Sequence, residues 1–201
     1  MNFLITGVSR TGKSTLSKTL YEVLRSSNYS LVPLDPFIDA WKKHEIPKLE
    51  GNALERWREL EFSNQCREMI AYAINKLSQP QSSGQKFIFE SAHASYDLNH
   101  FENLLKKHKI SNLCIIQLVH DTKLTPEGLL HKIRSNDSSK DWTFSKPSDE
   151  LLYKLDCALE ANKRVKEYCF KEGREFYVTT DDREDVFDSV KDDLLKRYAD
   201  D

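Results

Sequence analysis

Short apolar runs alternate with longer amphipathic segments along the whole chain. The runs predict five β-strands, and their near-continuous apolar character is typical of parallel strands buried on both faces. The five are FLIT (3–6), SLVPL (30–34), KFIFE (86–90), NLCIIQLV (112–119) and EFYVT (175–179). Because strands and helices alternate, the pattern predicts an α/β fold, a three-layer α/β/α sandwich with a five-stranded parallel sheet and right-handed crossovers.

Apolar residues spaced three and four positions apart predict the helices between these strands. The predicted helices are 13–26, 53–78, 97–108, 147–170 and 181–198. Ser148 is the expected N-cap of the fourth, and acidic residues follow in its first turn. Two segments, 36–52 and 120–147, are expected to lie outside the sheet layers. A length of 201 residues fits one compact domain spanning 1–201.

Composition excludes several classes of protein. Apolar residues make up 39% of the chain and charged residues 31%, so the chain can form a hydrophobic core. The net charge of −2 does not indicate a protein that binds nucleic acid or an anionic membrane through its overall charge. No apolar run approaches the ~20 residues that span a bilayer, and no signal peptide is recognisable. The cysteines have neither metal-site nor disulfide-framework spacing: Cys66, Cys114, Cys157 and Cys169. We therefore expect a cytoplasmic protein with reduced thiols and with neither membrane nor nucleic acid as a partner.

The clearest motif is GVSRTGKS, residues 7–14, which matches G-x-x-x-x-G-K-[ST]. Glycines let backbone N–H groups turn around an anion, Lys13 would reach the β- and γ-phosphates, and the Ser14 hydroxyl would ligate Mg²⁺. The helix that follows adds its N-terminal dipole. Residues expected to hold a nucleoside triphosphate are Gly7, Ser9, Arg10, Thr11, Gly12, Lys13, Ser14 and Thr15.

The stretch GVSRTGKST resembles the loop of gluconate kinases. The chain as a whole resembles the small P-loop kinases of the nucleoside-monophosphate-kinase-like fold, which include gluconate, shikimate and deoxynucleoside kinases. The resemblance implies ATP and Mg²⁺ as cofactors, a small-molecule acceptor bound by an insert at 36–60, and a mobile lid at 120–147. No N-K-x-D guanine signature is present, which argues against a GTPase. The oligomeric state stays open, a homodimer included.

Two acidic residues follow predicted strands at the edge where α/β sheets bind ligands. Asp35 follows the second strand, and the family places an acid there as base or acceptor anchor. Asp-Pro is also a common turn opener, so a structural role is the alternative. Glu90 ends the third strand, where the family carries an acidic or serine-containing motif near Mg²⁺ and acceptor. Its alternative is a cap for the next loop.

The remaining candidates come from the resemblance. Arg134 is the expected lid arginine that contacts the transferring phosphoryl group, on a helix that begins with a Thr125 cap and a proline. Trp41 is similar in position to a tryptophan of deoxynucleoside kinases and is expected to contact the acceptor. Arg56 is a candidate for an anionic acceptor. Thr180 and Asp181 follow the fifth strand, where the family's loop surrounds adenine.

Together these residues predict an ATP-dependent kinase for a small hydroxyl-bearing metabolite, such as a nucleoside or a sugar acid. Lys13, Asp35 and Arg134 are the expected catalytic residues, and Ser14 and Glu90 the expected metal ligands. A nucleoside-monophosphate kinase is the first alternative, since Arg56, Arg58 and Arg67 could clamp a phosphate. A nucleotide-binding sensor without catalysis is the second, because the lid holds one arginine.

Overall fold

One parallel sheet forms the centre of the molecule. The computed structural model describes residues 1–45, 62–79, 83–121, 123–136, 139, 143–179 and 183–198. The strands are β1 (Asn2–Gly7), β2 (Tyr29–Pro33), β3 (Lys86–Ser91), β4 (Leu113–His120) and β5 (Tyr177–Thr179). All five predicted strands are confirmed, and they lie in the order β2-β3-β1-β4-β5 with every neighbouring pair parallel.

Helices cover both faces of the sheet, which confirms the three-layer α/β/α sandwich. They are α1 (Lys13–Leu24), α2 (Asp35–Glu45), α3 (Phe62–Leu77), α4 (Leu98–Lys107), α5 (Pro126–Asn136), α6 (Ser148–Lys171) and α7 (Arg183–Tyr198). A 3₁₀ segment, His93–Asp97, precedes α4. Within the described residues the predicted helices are confirmed.

Alternating side chains of β1 divide the core in two. Phe3 and Ile5 face α1 and α7 and pack with residues such as Leu16 and Phe187. Leu4 faces the other side, where apolar residues of α2, α3, α4 and α6 meet the sheet. Because the central strands β1, β3 and β4 are largely buried on both faces, their sequences read as apolar runs instead of alternating ones.

Two local predictions are wrong. The described part of the 36–52 segment is α2, and Ile38, which is 2% exposed, packs in the same cluster as Leu4 of the sheet. This part therefore belongs to a helical layer. The N-cap of α6 is Pro147 and makes no side-chain cap, while Ser148 is already helical. The predicted acidic first turn of α6, Asp149 and Glu150, is present.

The segment between β4 and α6 contains α5, which packs on α6. Leu129 and Ile133 of α5 bury themselves against Leu155 and Leu159 of α6. As predicted, Thr125 caps α5, since its Oγ1 accepts a hydrogen bond from Gly128 N at 3.1 Å. None of the described helices is long and apolar enough to cross a bilayer.

Candidate active site

The carboxyl ends of the strands gather the predicted site residues at one edge of the sheet. Thr6 of β1 pairs with Ser91 of β3, and Gly7 pairs with Leu118 of β4. The loop 8–12 that follows β1 therefore starts between the ends of β3 and β4. Ligands in open α/β sheets bind at this edge.

Both glycines of the loop occupy positions that a side chain could not share. A Cβ on Gly7 would lie 2.6 Å from the Leu118 carbonyl oxygen and 2.6 Å from Thr11 Oγ1. Gly12 has a φ of 89°, and a Cβ there would lie 2.5 Å from the ring of Phe187 in α7. The close backbone approach that a phosphate cradle needs is therefore built into the packing.

The amine of Lys13 lies inside the loop. Lys13 is 7% exposed, and its Nζ donates to the Val8 carbonyl at 3.2 Å. Burial lowers the pKa of this amine, and the charges of Asp35 and Glu90 raise it in opposition. The loop thus presents a buried cation with two acidic neighbours.

Ser14 and Glu90 form a direct pair. The Ser14 hydroxyl donates to Glu90 Oε1 at 2.8 Å. Burial raises the pKa of the Glu90 carboxyl, which the hydrogen bond from Ser14 and the charge of Lys13 oppose. A hydroxyl and a carboxylate are hard oxygen donors of the kind that Mg²⁺ prefers, so the two residues fit the ion expected here.

Asp35, the first residue of α2, is held against the end of β3. Ser91 Oγ donates to Asp35 Oδ1 at 2.6 Å, and the Ala92 amide lies 3.2 Å from Oδ1 and 3.1 Å from Oδ2. These donors fix the orientation of the carboxylate. Asp35 therefore lies at the predicted edge of the sheet, bound to the end of β3. Its role as base or acceptor anchor stays a prediction.

Ser9 and Arg10 connect the loop to its surroundings, and Thr15 belongs to the first turn of α1. The Ser9 hydroxyl lies 3.4 Å from the Tyr96 hydroxyl. Arg10 has a φ of 68° and donates through Nη2 to Thr143 Oγ1. Thr15 N donates to the Gly12 carbonyl at 3.1 Å, as the first turn of α1 requires.

Arg134 is bound to the chain just beyond its own helix. Its Nη1 donates to the carbonyl oxygens of Thr143 at 3.0 Å and Phe144 at 3.3 Å, and Nη2 donates to that of Lys146. Thr143 also accepts the bond from Arg10, so the predicted lid meets the loop at Thr143. A contact of Arg134 with a phosphoryl group stays a prediction.

Of the other predicted residues, the structure describes only Trp41. Trp41 is half-buried and packs against the same core cluster as Ile38. Its contact with an acceptor stays a prediction. Arg56, Thr180 and Asp181 lie outside the described residues.

A cleft of about 510 Å³ beside the loop was not predicted. Its lining includes Arg67 of α3, Tyr96 and Arg164 of α6. Arg67 is 3% exposed; its Nη2 donates to Asn64 Oδ1 at 2.7 Å, while the buried Nε has no hydrogen-bond partner. Burial lowers the pKa of this guanidinium, and the charge of Asp97 opposes the change.

Sequence reasoning also missed His120, the buried last residue of β4. Its Nε2 lies 2.9 Å from the Ser9 carbonyl oxygen, which links the strand end to the loop. A polar residue that ends an apolar run was the signal that could have found it.

Three solved structures resemble this one over nearly their whole length. Shikimate kinase from Bacteroides thetaiotaomicron has a TM-score of 0.58 at 17% identity, covering 99% of this chain and 98% of that one. Shikimate kinase from Acinetobacter baumannii, in complex with shikimate, has a TM-score of 0.56 at 14% identity, covering 98% and 94%. A gluconokinase from Sinorhizobium meliloti has a TM-score of 0.51 at 14% identity, covering 98% and 97%.

The chain has the fold of P-loop small-molecule kinases. The predicted resemblance is thereby confirmed at the level of fold, which is what identities this low establish. No protein-family model matches the sequence, and no curated protein matches it significantly.

Proposed function

We propose that the protein is an ATP- and Mg²⁺-dependent kinase that phosphorylates a hydroxyl group of a small anionic metabolite. The observation that carries the proposal is the convergence of two acidic residues on one buried amine. Asp35 follows β2, Glu90 is the second-last residue of the neighbouring β3, and the charges of both raise the pKa of Lys13 in the phosphate loop. Such a site combines phosphate binding, a metal-binding carboxylate and a second carboxylate for the acceptor.

The loop and its two glycines would hold the triphosphate through backbone N–H groups, with the Lys13 amine on the β- and γ-phosphates. Ser14 and Glu90 would hold Mg²⁺, which supplies charge neutralisation at the phosphate oxygens when bound. Arg134 would leave the carbonyls of 143–146 and turn to the γ-phosphoryl group as the lid closes, a step that stays a prediction. Transfer then depends on positioning and charge, since the transition state spreads negative charge over the phosphoryl oxygens.

Asp35 would accept the proton of the attacking hydroxyl. Ser91 and Ala92 donate to both carboxylate oxygens, which leaves Asp35 oriented at the edge of the sheet. Each carboxylate oxygen has a second lone-pair site, so these bonds do not exclude an acceptor hydroxyl. A carboxylate is unnecessary when the acceptor is already an anionic phosphate oxygen, and Asp35 therefore supports a hydroxyl acceptor.

The cleft beside the loop supports an acceptor that carries a negative group. Tyr96 lines the cleft and reaches the Ser9 hydroxyl of the phosphate loop, so the cleft adjoins the transfer site. Arg67 and Arg164 lie in its wall. A buried cation with an unpartnered N–H is costly, and a bound carboxylate or phosphate would offset that cost. Among the two acceptor classes expected from the sequence, this favours a sugar acid over a neutral nucleoside.

The test is a panel of acceptors scored by ADP release. The panel holds hydroxy acids, neutral sugars and nucleosides, and nucleoside monophosphates. We expect hydroxy acids to stimulate turnover, and Arg67→Met to raise their KM roughly 10- to 100-fold, as lost charge-assisted hydrogen bonds would. Arg25→Met is the matched control, since Arg25 pairs with Glu22 and is exposed.

Other outcomes of the panel would redirect the proposal. Turnover with monophosphates alone would favour a nucleoside-monophosphate kinase. Arg67 and Arg164 could then bind the phosphate group of the acceptor. Turnover with neutral acceptors alone would contradict the anionic part. ATP binding without turnover on any acceptor would favour the sensor.

A second measurement uses Cys157, which is exposed in the same cleft, because a bound acceptor should slow its alkylation by iodoacetamide.

A further inference from the structure

His120 is a buried histidine that the proposed chemistry does not use. It ends β4, pairs with Thr179 of β5 and is 2% exposed. Its ring nitrogen Nε2 lies 2.9 Å from the Ser9 carbonyl oxygen. A carbonyl oxygen only accepts hydrogen bonds, so Nε2 must carry the hydrogen and donate it. The side chain of a strand end thus binds the backbone of the phosphate loop.

The backbone of His120 is in turn held by one side chain of α6. The His120 amide donates to Asn162 Oδ1 at 2.8 Å, and Asn162 Nδ2 donates to the His120 carbonyl at 3.1 Å. Asn162 is 2% exposed. Because an amide N–H only donates and a carbonyl only accepts, the two bonds also settle which way the Asn162 amide points. His120 therefore has little freedom to leave Ser9.

The charge state of the ring suits a fixed hydrogen-bond donor. Burial lowers the pKa of His120 to about 4, and the charges of Arg183, Lys13 and Lys132 also lower it, while the bond to Ser9 raises it. The imidazole is therefore neutral at neutral pH. A neutral ring beside the phosphate loop adds no charge to the site, so what it contributes there is geometry.

In a loop that binds phosphate, the backbone carbonyl oxygens have to point away from the bound anion. Its N–H groups bind the anion, and a carbonyl oxygen that faced the same space would repel it. The first two carbonyls of the loop are both occupied by donors of the protein. Val8 O accepts from Thr11 Oγ1 at 2.9 Å and from Lys13 Nζ, and Ser9 O accepts from His120.

We propose that His120, fixed by Asn162, is a positioning residue that keeps the Ser9 carbonyl turned away from the nucleotide phosphates. The inference rests on the proposed nucleotide site, and it assigns His120 no contact with substrate. Without the donor, the peptide after Ser9 is free to rotate its oxygen toward the cradle. The expected defect is weaker binding of phosphate-bearing ligand.

The experiment measures ADP binding by calorimetry in the presence of Mg²⁺, together with the melting temperature of each ligand-free protein. His120→Leu removes the donor, whereas His120→Gln keeps an amide nitrogen near the position of Nε2. We expect the Leu variant to bind ADP roughly tenfold more weakly, the effect of one hydrogen bond at the upper end of its usual range. We expect the Gln variant to stay within about threefold of the wild type.

The pair of variants separates positioning from stability. If both lower the melting temperature and neither changes ADP affinity, His120 is structural only and the inference is wrong. The same holds if Gln weakens binding as much as Leu. Should the Leu variant not fold, His120→Asn takes its place, since its shorter amide stays polar but falls short of Ser9. If the wild type itself binds no ADP, the proposed function fails and this inference with it; ADP binding without acceptor turnover leaves the inference standing.

Discussion

Asp35 is the residue whose replacement best separates the proposed hydroxyl kinase from its alternatives. An alcohol is a poor nucleophile until its proton begins to leave, and general-base assistance typically contributes 10²–10⁴-fold. Asp35→Asn keeps the size and the bond from Ser91, so we expect kcat to fall by about that factor while ATP affinity stays near that of the wild type. Single-turnover rates and ATP binding on both proteins check this.

Two results would contradict the assignment. Turnover within about threefold of the wild type, well short of the range for a general base, would return Asp35 to a purely structural role. Loss of ATP binding along with turnover would instead mean that Asp35 supports the metal site. Glu90 would then be the better candidate for the base.

His120 also makes a prediction about acid stability. Its pKa is about 4 in the folded protein and 6.5 in a model peptide. Between these values the unfolded chain binds more protons, so the free energy of unfolding falls as the pH drops from 6.5 toward 4. The contribution is fully present above 6.5 and amounts to about 3 kcal/mol.

Thermal unfolding of the wild type and of His120→Gln at pH 4 to 8 measures this difference. We expect the variant to lose less stability on the acid side, because glutamine does not titrate. Carboxyl groups such as Glu90 are common to both proteins, so the difference isolates the histidine. Parallel curves would mean that the ring has the same pKa in the folded and the unfolded protein, so that burial does not lower it.

Among the elements, the one we expect to respond most to nucleotide is α5 with the chain that follows it. Its apolar face packs on α6, and Arg134 is bound to carbonyls of 143–146. If this segment closes over bound phosphates, hydrogen exchange at 126–136 and 143–147 should slow when an ATP analogue and Mg²⁺ are added. Lys13→Ala with the same analogue is the control, and it should show no change.

Unchanged exchange in the wild type, under conditions where calorimetry shows binding, would make the segment a static connection. Arg134 would then keep its bonds to the backbone and lose its proposed part in transfer. The bond between Arg10 and Thr143 would then be a fixed contact that does not change when nucleotide binds.

How far each element could be predicted depends on how local its signal is. The strands were predicted within about two residues at either end, because burial on both faces leaves an apolar run in the chain itself. The N-cap of α6 was misplaced by one position, since Pro147 and Ser148 are both good helix starters. The helical nature of 35–45 was missed because Pro36 and the acidic start suggested a turn, whereas Ile38 finds its partners in the distant α3.

For the candidate site the same limit applies more strongly. The loop and the two strand-end acids have short signatures, so Lys13, Asp35 and Glu90 could be named from the sequence. From the sequence, Arg67 is only one of several possible phosphate clamps, and Arg164 carries no signal. Their helices, α3 and α6, are distant in the chain, and only the fold brings the two side chains to one cleft. His120 binds the backbone oxygen of Ser9, and the residue types of the sequence do not reveal a bond to the main chain.

At the scale of the whole molecule, contacts between distant parts of the chain assemble the site. β1 pairs with β3 and β4, and β2 pairs with β3. Within the described residues, the first two strands therefore gain their partners only when the middle of the chain is present. Such non-local parallel pairing is typical of slowly folding proteins, because the chain loses the entropy of loop closure before the strand contacts stabilise it.

The ring of Phe187 against Gly12 has a consequence for the order in which the protein is made. Translation proceeds from β1 toward α7, so the loop residues are synthesised before the ring that packs against Gly12. A nascent chain that ends before α7 therefore carries the loop sequence without this packing. We expect nucleotide to stabilise the loop fully only after α7 has been made and has docked.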